Sequence, residues 1–418
     1  MTSTAVRPLP GRLLPADALL RRLTLMSLMT TIGNGLFVTV SVLFFTRSIG
    51  LTPSRVALGL TCAGVCGVLA GVPMGRLADR VGSKRLLLVV GPLEGLAVLG
   101  YALVHSFLAF VLLACAATVL ERGAVAVRSA LIARVLPAET QVRSRAYLRS
   151  VMNAGVMLGA GGAALALQAD SRVAYLAVLA LDALSYLGAT ALLSGLRVPA
   201  VVLGEAMEGA AKRRSALRNR PYLLVTSLHA VLELQLAVLN IGIPLWIALS
   251  TGAPRWVISA VLVLNCLTVV LFQVRATRGV GDVRTAARAC TRGALLLAGA
   301  CLVYGTAQHR SAVLAGVLMI GGVLLHNFGE LLTSAGGWTL SLDLADPRSH
   351  GEYQGVFMSG QAAAHVIGPL VVTSTAVAHG YAGWAVLAGL FAVAGLVLPA
   401  ASRLAQRQDP GSSRHSTR

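Results

Sequence analysis

Two residue pairs in the second half of the chain have the types and spacing needed to hold and pass a proton: His229 with Glu233, and His326 with Glu330. Each pair is four residues apart, so at about 3.6 residues per turn its members share one helix face and can hydrogen-bond along it. Asn327 lies three residues before Glu330 and can join that face. An unperturbed histidine titrates near pH 6.5, and a carboxylate removed from water moves toward the same range, so either type can exchange a proton under working conditions. The alternative role is structural, because a histidine and a glutamate that satisfy each other also fix the packing of two helices.

Both pairs sit inside long apolar runs. The chain has 418 residues, 56% hydrophobic and 12% charged, with a mean hydropathy of +0.76. A soluble domain carries roughly twice that share of charge, so this composition excludes a water-soluble globule. The scarcity of polar alternation also excludes a porin-like barrel. Runs long enough to cross a bilayer fall at about 24–46, 54–74, 86–104, 107–127, 150–168 and 173–195, and again at about 222–248, 256–274, 293–308, 311–335, 356–378 and 382–402. The expected fold is therefore an all-α membrane protein of twelve transmembrane helices in two pseudo-symmetric six-helix bundles. The halves are 1–197 and 222–418, joined by a polar linker at 198–221 and ending in a short tail.

The net charge of +19 raises the possibility of a polyanion partner, and its distribution removes it. Of the 35 Lys and Arg residues, 29 fall in segments on one side of the twelve runs and five on the other. That asymmetry is an orientation signal, placing both termini in the cytoplasm and the chain in the cell membrane as a multi-pass protein. No nucleic-acid partner is expected. The six cysteines show no CxxC or metal-ligand spacing, so neither a metal nor a disulfide framework is expected. No cofactor is expected either. The polar, proline-broken start of the chain lacks the apolar core of a cleaved signal peptide. Neither a phosphate-binding GxxxxGK[ST] loop nor an HExxH pair is present, which argues against ATP-driven transport by this chain alone and against an enzyme.

Charged side chains at membrane depth cost at least about 2.5–3.5 kcal/mol each on insertion scales, so they face a cavity or a partner. Besides the two pairs, this set contains Glu94, Glu121, Arg122 and Asp182. Glu121 and Arg122 are adjacent and so point in different directions. Glu94 is placed to snorkel toward the cytoplasm, and Asp182 to pair with a neighbouring helix. Gln361 and His365, again four apart, read as packing residues. Trp246 and Tyr304 are candidate cavity aromatics.

Between the second and third runs the sequence reads Gly75-Arg76-Leu77-Ala78-Asp79-Arg80-Val81-Gly82-Ser83-Lys84-Arg85. Physically this is a tight reversal at the membrane face, with glycines for close backbone approach and Asp79 available to cap amides or pair with arginine. In this position it resembles the loop between helices two and three of the major facilitator superfamily, departing from that pattern only at Ser83. A degraded second copy, Arg275 to Arg284, keeps glycine, acid and arginine without their spacing. The resemblance implies that Gly75, Asp79, Arg80, Gly82 and Lys84 form a gating loop, with Asp79 and Arg80 bridging to neighbouring helices, including the start of the eleventh. It also implies a central cavity lined by helices one, four, seven and ten, which carry Asn34, Glu121, Arg122, His229, Glu233, His326, Asn327 and Glu330. Arg122 is similar to the arginine that the family often keeps in its fourth helix.

The segment Arg348 to Gly355, followed by Gly368-Pro369, looks like the corresponding region of drug:proton antiporters. Gly155 to Gly162 is similar to the antiporter pattern in the fifth helix, but Ala160 stands where that pattern has proline, and close helix packing by small residues accounts for it equally well. The activity implied is that of a secondary active transporter, a proton-coupled exporter of small, partly apolar compounds acting by alternating access. Its partners would be a small-molecule substrate, protons and the lipid bilayer, with action as a monomer. An importer or uniporter on the same fold, and a non-transporting scaffold or receptor, are the alternatives.

Overall fold

The computed structural model describes residues 17–136, 138–196, 215–254, 256–346 and 349–407. Among these residues the chain is helical, with one isolated β-bridge between Thr251 and Gln308. In the first part, α1 covers Ala18–Leu43, α2 Pro53–Val81, α3 Ser83–Gly100, α4 Phe107–Val135, α5 Ala138–Ala169 and α6 Arg172–Ser194. In the second, α7 covers Arg220–Ser250 through a π-helical stretch at Val238–Gly242, and α8 covers Trp256–Ala276. The remaining elements are α9 Val283–Thr306, α10 Ala312–Asp343, α11 His350–Val372 and α12 Ala378–Arg407.

Eleven stretches are long and apolar enough to cross a membrane, and the last of them, His350–Arg407, contains 58 residues. A straight helix of that length would measure about 87 Å, nearly three times the hydrocarbon thickness of a bilayer. The stretch is not straight: α11 passes through a π-helical turn at Thr373–Val377, and Gly380 then adopts φ +59°, ψ −137°. Only glycine enters that region without strain, so the chain turns there and α12 packs back on α7 and α9.

Several helices extend beyond the apolar runs that announce them. α2 continues through the whole glycine-arginine-aspartate segment to Val81, leaving Gly82 (φ +95°) as the only residue between it and α3. The presumed loop is thus mostly helix. α4 runs to Val135 and α5 starts at Ala138, so Arg128, Arg134, Arg145 and Arg149, which read as loop charges, stand on helices. Arg145 is buried. Residues 197–214, most of the expected linker, lie outside the described residues, as do Pro347, Arg348 and the tail beyond Arg407.

Packing falls into two sets. α1 packs on α5 and α6, α2 on α4, and α3 on α4 and α6; in the other set α9 packs on α10 and α12, α8 on α10, and α7 on α12. One apolar core draws only on residues from Val225 to Ala405, and two others only on residues from Leu23 to Leu196. Trp246 and Tyr304 belong to the first of these cores, both fully buried, with the indole of Trp246 donating to the Tyr304 carbonyl at 2.8 Å. They are therefore packing residues and not cavity aromatics. In α5, Gly155 lies against Thr31 and Gly159 against the Ile32 carbonyl, so its small-residue pattern seats α5 on α1.

Candidate functional site

The two sets meet where α2 and α4 touch α11 and where α5 touches α8 and α10. Along α2 and α11 the approach is close enough to require glycine on both sides. Gly71 and Gly75 face Gly355 and Gly351, and a Cβ at Gly71 would stand 2.6 Å from the Gly355 carbonyl oxygen. This proximity delivers the first turn of α11 to Asp79. The carboxylate accepts from the Gly351 amide at 2.8 Å and the Glu352 amide at 2.9 Å, while Arg134 of α4 donates to it at 2.5 Å. A buried carboxylate at a helix N-terminus satisfies otherwise orphaned amides and complements the helix dipole.

The expected partner Arg80 takes no part. It is exposed and forms no ion pair among the described residues. The cations of this cluster are Arg134 and Arg76, whose guanidinium reaches Glu352 Oε1 at 3.0 Å. Glu352 also accepts from Ser215 Oγ at 2.7 Å and the Ala216 amide at 3.0 Å, drawing the end of the linker into the same network. Arg80 lies about 100° around the helix from Asp79, whereas Arg76, three residues before Asp79, is about 60° from it and one turn away from Arg80 along α2, level with Glu352. Lys84 donates to the carbonyls of Ser194 and Leu196, which ties α3 to the end of α6 within one set. Gly82 serves the turn. The degraded second copy behaves differently: Asp282 caps α9 through the Thr285 amide at 2.6 Å. That hydrogen bond holds its carboxyl below the ordinary carboxylate range.

Further into the membrane-spanning region, Glu330 of α10 is buried and pairs with Arg149 of α5 at 2.5 Å. Arg149 also donates to Ser334 at 3.3 Å and lies over the Trp338 ring, 5.9 Å from its centroid. The second carboxylate oxygen of Glu330 accepts from Asn265 of α8 at 3.0 Å, and the same amide group donates to Asn327 Oδ1 at 3.0 Å. Asn327 thus joins Glu330 as expected, through Asn265. His326 does not: its Nε2 donates to Gln235 Oε1 of α7 at 2.8 Å. The i,i+4 spacing places it on the same face, but the longer-range partner wins because it satisfies a fully buried histidine directly.

His229 and Glu233 do face one another, with Nδ1 and Oε1 3.8 Å apart, beyond hydrogen-bonding distance. His229 Nε2 donates to the Thr333 carbonyl at 3.3 Å, which leaves Nδ1 as an acceptor in the neutral ring. Two acceptors therefore confront each other, and one added proton on either would turn the contact into a hydrogen bond. Gln361 of α11 donates to Glu233 Oε1 at 3.1 Å, so this residue, expected only to pack, contacts the site.

The remaining candidates divide. Arg122 lies close enough to His365 to act on it electrostatically, together with Glu233 and Arg149. Glu121 lies close enough to Glu94, Asp182 and Tyr101 in the first set to act on them electrostatically. Glu94 does not snorkel; it is 6% exposed and lines a small cavity of about 20 Å³ with Arg128, Tyr186 and Thr30. Asp182 is buried against Gly33 of α1, with Ser185 Oγ 3.5 Å from one oxygen and the other oxygen unpartnered. Asn34 is half-buried in α1 and forms no hydrogen bond among the described residues. Sequence reading missed Arg134, Arg149, Asn265 and Gln235. The two arginines were hidden among the charges that orient the chain, and the two amides carried no distinguishing spacing.

The chain resembles solved transporter structures over nearly all of its length. A bacterial homologue of the iron transporter ferroportin, in an outward-facing state, matches with TM-score 0.72 at 15% identity, covering 94% of this chain and 100% of that one. The human organic anion transporter MFSD10 matches with TM-score 0.67 at 17% identity, over 91% and 98% of the two chains. The proton:xylose symporter XylE gives TM-score 0.66 at 14% identity, over 91% and 94%. These identities establish likeness of fold alone. No curated protein sequence matches the chain. The sequence model of the Major Facilitator Superfamily, however, matches residues 23–369, most of the chain and both sets of helices. With the α2–α11 clasp already in view, the conclusion is that this chain belongs to the major facilitator superfamily and is a multi-pass membrane transporter rather than an enzyme.

Proposed function

We propose that this transporter is a proton-coupled exporter of small, partly apolar compounds in the cell membrane, working as a monomer by alternating access. The turn at Gly380 separates an eleventh from a twelfth crossing, giving six-helix halves at 1–197 and 222–418 with the 198–221 linker and both termini in the cytoplasm. On that orientation the clasp around Asp79 closes the cytoplasmic side, which corresponds to an outward-facing state.

The observation that carries the coupling is the Arg149–Glu330 pair, which has one partner in each half and a 3% exposed carboxylate. Its attraction exists only while Glu330 is ionised. A proton arriving at Glu330 from outside cancels the pair and loosens the halves, and the His229–Glu233 contact offers a second place for a proton to sit. Coupling follows if substrate and proton have different affinities for the two states or compete for one of them. Export and substrate class rest on the antiporter-like segment that ends in Gln354-Gly355 and Gly368-Pro369. In everted vesicles, Glu330→Gln should lose proton-driven uptake by about tenfold or more while retaining substrate exchange, with a smaller loss for Glu233→Gln. Full proton-coupled transport by both variants would refute the choice of residues.

A second reading, an importer or uniporter for a metabolite, draws on Ala160, which stands where the antiporter pattern has proline. Labelled-substrate flux in intact cells, with and without an uncoupler, separates the two. A non-transporting scaffold would show no exchange in proteoliposomes at all.

A further inference from the structure

At the edge of the seam between the halves, a cavity of about 330 Å³ lies between the first turns of α5 and the turn that joins α8 to α9. Arg143 lines it from α5, and Thr277, Arg278, Gly279 and Gly281 line it from the opposite side. Both arginines are exposed, and neither guanidinium has a hydrogen bond or ion pair among the described residues. Arg275, nearly a turn before, is engaged over the Phe272 ring at 5.7 Å from its centroid. The one carboxylate in the turn, Asp282, is committed to capping α9. Among the described residues, then, the cavity presents two guanidinium groups with no carboxylate partner, which suit an anion with several oxygens such as a phosphodiester. Gly279, at φ +78°, and Gly281 add no side chain, and a Cβ at either would meet open space.

The surroundings identify the source of that anion. Leu267, Val270, Leu271 and Val274 recur at spacings of three and four along α8, so they form one stripe, and it ends at the cavity, which Val274 lines together with Arg278 of the following turn. Leu267, Val270 and Leu271 are 51%, 47% and 50% exposed on a membrane-crossing helix. A stripe of exposed apolar side chains leading to an unpaired guanidinium at the helix end matches a molecule with acyl chains and an anionic head. A free phosphate has no use for the stripe.

We propose that this cavity binds the headgroup of an anionic phospholipid, with its acyl chains along the exposed face of α8. Such basic pockets at the end of membrane-spanning helices are a recurrent solution for lipid heads. One arginine comes from each half, so the site is complete only while the ends of α5 and α8 are together. A bound lipid consequently favours the arrangement in which the halves are clasped on this side.

Native mass spectrometry of the full-length protein in detergent tests this, with phosphatidylglycerol and phosphatidylcholine of equal chain length as probes. Phosphatidylglycerol should be retained in preference to phosphatidylcholine, and Arg143→Ala with Arg278→Ala should reduce its retention by about tenfold or more. Arg403→Ala with Arg407→Ala, which removes the same charge from α12, should leave it unchanged, and both variants should keep the wild-type thermal unfolding. Equal retention of the two lipids, or undiminished phosphatidylglycerol on the folded Arg143/Arg278 double variant, would overturn the proposal. So would displacement of the lipid by millimolar inorganic phosphate, which would mark a free-anion site.

Discussion

The α2–α3 and α8–α9 junctions lie in different packing sets, and each has an aspartate close to its turn. Asp79 is buried and holds the first amides of α11, a helix of the other half, together with Arg134. Asp282 is exposed and caps its own helix through Thr285. The difference comes from what each carboxylate can reach. Gly71 and Gly75 let α2 lie against the glycines of α11, so Asp79 meets amide groups that nothing else satisfies. The second junction is held open by Gly279 and Gly281, and there Asp282 finds only the start of α9. The same residue type thus clasps two halves in one place and finishes a helix in the other.

The comparison breaks first at Asp79. Asp79→Asn should leave Arg134 without its counter-charge and weaken the amide contacts, at a cost of about 3–5 kcal/mol for a buried pair that loses one partner. Hydrogen exchange should show the amides of residues 351 and 352 losing most of their protection, with transport largely abolished. Unchanged protection would mean that Asp79 does not hold α11. A smaller effect belongs to Arg76→Ala, because that guanidinium is 43% exposed and Glu352 keeps its Ser215 and Ala216 donors. A loss of about 1 kcal/mol or less is expected from the clasped state, against no measurable loss for Arg80→Ala. Equal losses in the same exchange assay would restore Arg80 to the clasp.

No effect on the clasp should come from Asp282→Ala, which removes a helix cap worth about 0.5–2 kcal/mol of stability but leaves the α2–α11 amides protected as in the wild type. Its pH dependence has a definite sign. The Asp282 carboxyl is held below its ordinary range in the folded chain, so its contribution is complete above the unfolded value near pH 4 and fades as pH falls through the lowered one. Thermal unfolding of the wild type and Asp282→Ala should therefore differ by a constant amount at neutral pH and converge only in strong acid. A difference that varied between pH 6 and 8 would point to another group.

The two junctions also show where sequence reading succeeds. The glycine and aspartate positions of the first carried the resemblance to the family, and the second was legible only as a degraded copy. Asp79 touches the start of α11, the contact that the resemblance implied. Arg80 forms no ion pair among the described residues, and a pattern of residue types cannot say which of two arginines, four residues apart on a helix, turns toward the partner. The same limit applies deeper in the molecule. Glu330 and Glu233 stood out as carboxylates in apolar runs, but helical spacing gave each a histidine neighbour, and only one of those neighbours faces its glutamate at ion-pair distance.

What the sequence determined by itself was the solvent and the class of molecule: a helical membrane chain with a superfamily signature in one junction. Hydropathy and charge asymmetry accumulate along the chain, so they can be read without knowing which helices touch. The pairing of Arg149 with Glu330, the bridging by Asn265 and the choice of Arg134 as the cation on Asp79 were decided by the tertiary structure alone. Each joins residues far apart in the chain, and each depends on the rotation and depth of two helices, to which a shift of one residue along a helix contributes about 100°. Arg149 shows the point most plainly. In the sequence it is one of 29 charges that orient the chain, and in the fold it is the counter-ion of a buried glutamate in the opposite half.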